Sequence, residues 1–209
     1  MVLESFLKKI VWLGHDGFRI DGSRTLYIDP FQTSSTVKAD IILVSHEHFD
    51  HCSPNDIARI QQDHTVIVTE KNSAAKLSGD VRVVTPGDVV MIGEVTITAV
   101  PAYNIGKPFH PKANGWLGFV VEIDGVRVYH AGDTDFIPEM KHLQIDVALL
   151  PVSGTYVMTA DEAIQAARTI KPRVVIPMHY GTVVGAVSDA ERVKAALSGE
   201  MDVVVLKPA

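Results

Sequence analysis

The chain has 209 residues, of which 46% are hydrophobic and 21% charged, and its formal net charge is −6. That length is enough to bury a two-layer core, and the balance is that of an ordinary globular protein. The acidic excess, with basic residues scattered along the chain, argues against a role built on gripping a polyanion, so nucleic acid is not an expected partner, although charge alone does not exclude a short oligonucleotide.

Residues 9–20 and 25–28 read as two strands joined at Asp21-Gly22, a strong hairpin signal. Asp29-Pro30 ends the second, and residues 31–39 form a polar loop. The short apolar run Ile41-Ile42-Leu43-Val44 reads as a buried strand. A helix is predicted over 54–62, with Ser53 as its N-cap and Pro54 in its first turn. Residues 65–69 read as a strand, 72–77 as a short helix and 81–84 as a strand, and 89–101 as strands broken at Gly93. Residues 103–115 have no periodicity and hold two prolines and two glycines, which predicts a surface loop. The clearest hairpin spans 116–130 and turns on Asp124-Gly125. A strand over 146–151, an amphipathic helix over 159–170 and a buried strand over 173–177 follow. Ser188 caps a helix that runs to 197, and 203–206 is the last strand. Two sheets packed face to face, with helices outside, is the economical layout for this pattern.

One stretch concentrates chemistry. Directly after the strand at 41–44 comes Ser45-His46-Glu47-His48-Phe49-Asp50-His51. His46 and His48, two apart, point the same way while the chain stays extended. Neutral imidazole and carboxylate are the donors that zinc and neighbouring divalent metals prefer. Because adjacent side chains diverge, four such groups on one strand-to-helix turn can serve two metals. Asp133 and His179 stand at the ends of later apolar strands and are further ligand candidates.

These residues match the His-x-His-x-Asp-His signature of the metallo-β-lactamase superfamily, and nearly the whole chain resembles it. Within that superfamily the chain looks most like the small stand-alone hydrolases related to the L-ascorbate-6-phosphate lactonases. The landmarks are Trp12-Leu13-Gly14-His15, Ile28-Asp29-Pro30, Tyr129-His130-Ala131-Gly132-Asp133-Thr134 and Pro177-Met178-His179-Tyr180. The resemblance implies an α+β protein, a four-layer αββα sandwich, as a single domain over residues 1–209 with its metal site at one edge between the sheets. It implies metal ligation by His46, His48, Asp50, His51, Asp133 and His179, with Asp133 bridging two ions and Asp50 also orienting the attacking hydroxide.

One ligand departs from the pattern. Related proteins place a histidine just after the strand ending near Val100-Pro101-Ala102, where this chain has Tyr103. His110, in the loop that follows, is the nearest replacement; the alternative is a lid residue that contacts substrate or solvent. His15 and His130 are read either as neighbours of the site or as structural residues. Tyr103, Tyr180 and Lys107 are read either as substrate contacts or as packing and solvated residues.

The expected activity is metal-dependent hydrolysis of a small-molecule ester, lactone or phosphoester by a zinc-activated hydroxide. Two Zn2+ ions are expected, with Mn2+ or Fe2+ as alternatives. The competing readings are a phosphodiesterase or nuclease acting on short substrates, a di-iron redox module and a non-catalytic binding protein. The di-iron reading is disfavoured by His48, where such proteins carry glutamate. The single Cys52 closes no internal disulfide, the N-terminus has no signal-peptide apolar stretch, and no window reaches the length of a membrane span. A cytoplasmic protein is expected.

Overall fold

The computed structural model describes residues 2–209. Its strands fall into two sheets, each built in chain order. The first contains β1 (Ile10–Gly14), β2 (Gly17–Asp21), β3 (Thr25–Ile28), β4 (Ile41–Val44), β5 (Val66–Thr69) and β6 (Asp80–Val83). The second contains β7 (Val89–Ile92), β8 (Val95–Pro101), β9 (Leu117–Ile123), β10 (Val126–His130), β11 (Val147–Pro151), β12 (Val174–Met178) and β13 (Asp202–Val203). Antiparallel hairpins open each sheet, and parallel strands follow from β3 to β6 and from β10 to β13. The helices are α1 (Val2–Leu7), α2 (Pro54–Ile60), α3 (Lys71–Ala74), α4 (Ala160–Ile170) and α5 (Val187–Leu197). With the two sheets face to face, this is the αββα sandwich.

Strand period two explains why the sheets need cover on both sides. In β4 and β5, Ile41, Leu43, Val66 and Val68 point into the space between the sheets, where they meet Leu117, Phe119 and Val121 of β9. Ile42, Val44 and Ile67 point outward and bury Ile57 and Ile60 of α2. Ser53 caps α2, accepting from Asp56 N, and Thr159 closes a capping box with Glu162 at the start of α4.

The main difference from the sequence reading is in residues 9–20. They make two strands rather than one, because Gly14 (φ 99°) and His15 (φ 51°) turn the chain through His15-Asp16. The Asp21-Gly22 and Asp124-Gly125 turns fall where read, the latter with both residues at positive φ. Two shifts occur at helix starts. The residues of α1, whose Leu3 and Phe6 are buried, carried no predicted element, and α5 begins before Ser188, its Ala186 N–H donating to Asp189.

Parallel strands put their carboxyl ends on one edge of the sandwich. The residues following β3, β4, β10, β11 and β12 therefore gather there, beside the β1–β2 turn. A backbone bond from Leu117 N to Ser45 O joins the two sheets at this edge.

Candidate metal centre

The edge brings together six of the sequence-predicted ligands. His46, His48 and His110 form one group of donors, and His51, Asp133 and His179 belong to a second, within which the ligand atoms lie no more than 4.8 Å apart. Asp133 stands between the groups. One of its oxygens is 3.3 Å from His51 Nε2; the other is 3.1 Å from His110 Nε2 and 3.4 Å from His179 Nε2. Gly132 (φ 62°) aims it, since a Cβ there would come within 2.5 Å of Leu117 O.

Neighbouring acceptors fix the imidazoles. Asp29 accepts from His51 Nδ1 (2.8 Å), from Ser45 N (2.7 Å) and from Ser45 Oγ (2.6 Å). Ser45 Oγ, its proton given to Asp29, accepts in turn from His46 Nδ1 at 3.0 Å. His110 Nδ1 faces two acceptors, Asn104 Oδ1 at 3.1 Å and Tyr156 O at 3.2 Å. These three histidines thus donate from Nδ1 and turn Nε2 to the cluster, where a cation would take its lone pair, as is usual for metal-bound histidine. His179 Nδ1 lies 2.8 Å from Ser153 Oγ.

The donors fit a pair of divalent cations. His51 Nε2, His110 Nε2 and Asp133 Oδ1 are buried yet have no hydrogen-bond partner, which is rare for buried polar atoms unless an ion or water faces them. His46 Nε2 lies 2.9 Å from His48 Nδ1, two nitrogens that a shared cation would satisfy together.

Electrostatics agree with that chemistry. Burial holds His46 well below the usual imidazole range, and burial also lowers His48 and His15. Burial would lower His51 and His179 too, but the carboxylates win. Asp133 and Asp29 hold His51 well above its usual range, and Asp133 and Asp16 raise His179 to about 9. Asp133 is depressed well below the carboxylate range because His51 and His179 outweigh its burial. Strain collects here as well: of the six non-glycine residues at positive φ among the described residues, three are His15, Asp29 and His179, all beside His51.

The other sequence candidates sit elsewhere. Asp50 lines the cleft but stands aside from both donor groups, its Oδ2 3.1 Å from His15 Nε2; the hydrogen bond keeps it ionised against the upward pull of burial. His15 is fully buried with its ring 4.2 Å from that of His179. Tyr103 is corrected: its hydroxyl donates to Glu139 at 2.9 Å, away from the cluster. Tyr180 is corrected too, since its ring packs on Trp12 and lines a different cavity. His130 is a backbone clamp, with Nε2 donating to Asp16 O and Nδ1 accepting from Gly132 N. Lys107 is taken up by Asp135 and Val157 O.

Sequence reasoning missed the residues that deliver His110. Asn104 is paired with it through backbone and side chain, and Asp135 accepts from Asn104 Nδ2, Ile105 N and Lys107 Nζ. The pair Asp133 and Asp135 was the available signal: two carboxylates two positions apart, one serving the cluster and one the loop.

Beside the cluster lies a cleft of about 490 Å³ lined by His48, Asp50, His110 and Asp133 and by Phe49, Pro108, Phe109, Tyr156 and Val183. Among these lining residues there is no lysine or arginine.

Residues 9–179 match the family model described as "Beta-lactamase superfamily domain". The chain is 35% identical to a UPF0173 metal-dependent hydrolase of Archaeoglobus fulgidus, over 96% of each chain. It is 36% identical to another from Thermococcus kodakarensis with the same coverage. A crystal structure of a candidate metal-dependent hydrolase from Parabacteroides distasonis superposes with a TM-score of 0.84 at 37% identity, covering 94% of this chain and 91% of that one.

Proposed function

The chain belongs to the beta-lactamase superfamily domain family and is a metal-dependent hydrolase, and from that footing we propose that it cleaves small, uncharged esters or lactones bearing an apolar group, with two divalent cations held by His46, His48, His110, Asp133, His51 and His179. The observation that carries the substrate class is the cleft lining. Phe49 (69% exposed), Phe109 (44%) and Val183 (40%) stand at its mouth in the unbound protein, an apolar rim that a substrate's hydrocarbon portion would cover. No side-chain cation is there to receive a phosphate, and Lys107, the nearest candidate in the sequence, is spent on Asp135. This argues against the phosphoester and nuclease readings.

When bound, the metal pair supplies Lewis acidity and brings a water's pKa from 15.7 to about 7. The remaining work belongs to the chain. Asp29, Ser45 and Asn104 keep three imidazoles in the tautomer that binds cations. Asp50, kept ionised by His15 at the cleft wall, is placed to accept a hydrogen bond from the attacking water and so to orient it. Phe49, Phe109 and Tyr156 seat the apolar group and exclude water around the scissile bond.

The test is a panel of p-nitrophenyl acyl esters of graded chain length, lactones, phosphomonoesters and phosphodiesters, assayed with zinc- and manganese-loaded protein. Turnover of the neutral esters or lactones is expected, rising with acyl length, abolished by His46→Ala and carrying an increased KM in Phe109→Ala. Faster cleavage of phosphodiesters than of every neutral ester would overturn the substrate class.

A further inference from the structure

Asp16 has no part in the chemistry above. It occupies the β1–β2 turn, is 0% exposed, and neither of its carboxylate oxygens has a hydrogen-bond partner. The closest imidazole nitrogen with which it pairs, His51 Nδ1, is 3.9 Å away, beyond hydrogen-bond reach and already given to Asp29. Leaving a carboxylate in this condition is costly, because burial removes its water and nothing replaces it. Its donor atom nevertheless lies within 4.8 Å of those of His51, Asp133 and His179, and all four residues are buried.

We propose that Asp16 is a fourth protein donor to the second cation position, and that it biases that position toward a hard, six-coordinate ion, Mn2+ or Fe2+, over zinc. The inference rests on reading the cluster as a metal centre. The turn that carries Asp16 is pinned on three sides: His130 Nε2 donates to Asp16 O (2.9 Å), while Trp12 Nε1 (2.9 Å) and His179 N (3.1 Å) donate to His15 O. The carboxylate is therefore held in place by backbone contacts that do not depend on an ion.

The donor sets of the two positions differ in kind. The first offers three imidazoles, His46, His48 and His110, with one shared carboxylate, a set suited to zinc. The second offers two imidazoles and two carboxylates. With Asp133 shared, each position counts four protein donors, so the two differ in donor type: the second has a carboxylate where the first has an imidazole. A six-coordinate ion accepts the second set and still has room, and carboxylate oxygen is the donor such ions favour.

The experiment compares wild type, Asp16→Asn, Asp16→Ser, His46→Ala and His51→Ala after chelator stripping. Mn2+ and Zn2+ are titrated separately, by calorimetry and, for Mn2+, by electron paramagnetic resonance, and melting is followed with and without metal. Wild type is expected to bind two Mn2+, and His46→Ala to keep the second. Asp16→Asn and Asp16→Ser are expected to lose at least about tenfold in affinity for the second Mn2+ and less for zinc. The metal-free Asp16 variants are expected to melt no lower than metal-free wild type, since a buried carboxyl without hydrogen-bond partners is gone, and to gain less from Mn2+. A purely structural role would lower melting in both states. Unchanged second-site Mn2+ affinity in the Asp16 variants, or an equal loss for both metals, overturns the assignment. If neither His46→Ala nor His51→Ala alters the stoichiometry, it is the metal-centre reading itself that fails.

Discussion

Replacing Asp29 separates two roles that share one carboxylate. In Asp29→Ala, Ser45 Oγ keeps the bond it accepts from His46 Nδ1, 3.0 Å away, but the hydroxyl proton and the buried Ser45 N–H both lose their acceptor. That costs about 1–3 kcal/mol of stability. His51 also loses the acceptor, 2.8 Å from Nδ1, that keeps its proton off the metal-facing nitrogen. Loss of such a partner weakens metal binding by about 10- to 100-fold, or about 1.4–2.7 kcal/mol. Asp29→Asn dissects the two: its amide oxygen still accepts from Ser45 N, while its N–H meets His51 Nδ1 and drives the imidazole proton to Nε2. The asparagine variant is expected to keep more of the metal-free stability than the alanine variant, read by chemical denaturation, yet bind zinc at least about tenfold more weakly than wild type, read by calorimetry. Zinc affinity within twofold of wild type in Asp29→Asn would refute the tautomer argument.

Gly132→Ala forces a Cβ to within 2.5 Å of Leu117 O at a φ of 62°. It is expected to cost more than about 2 kcal/mol, seen as a lowered Tm, and to weaken metal binding by moving Asp133. Removal of metal makes stability depend on pH in a defined window. His179 is raised to about 9 in the folded protein and His51 is raised as well, so what they contribute is complete below about 6.5 and lost as pH rises through about 9. His46, His48 and His15, being lowered, act only at more acid pH. The Tm of chelated protein is therefore expected to fall between pH 6.5 and 9, and a flat profile there would contradict the ion pairs with Asp133. Tyr103→Phe, which loses the bond donated to Glu139 and the one accepted from Lys112, is expected to leave kcat within about twofold in a steady-state assay while lowering stability by about 1 kcal/mol.

Local pattern made much of the site legible. A strand followed at once by three histidines and an aspartate needs little else, and His46, His48 and His51 do face the cluster. His110 was reachable only as the nearest histidine in a loop of the right length. Its place is decided by Asn104 and Asp135, which are 31 residues apart, and no periodicity connects them. Tyr103 and Tyr180 were named because they adjoin site positions in sequence. Adjacent side chains diverge, and both point away from the cleft, to Glu139 and to Trp12.

The sequence by itself determined the sheets and their cover: apolar runs of strand length, Asp-Gly turns and amphipathic helices are local features, read within ten or so residues. It also placed most ligands at strand ends, where a chain leaving a sheet frees its side chains. Only the tertiary structure decided which carboxylate serves which imidazole. Asp16 reads in sequence as one residue within a strand, and the positive φ at Gly14 and His15 turns it inward to the cluster. Burial and the absence of a hydrogen-bonding partner are relations between distant segments, and those relations give a buried carboxylate its chemistry.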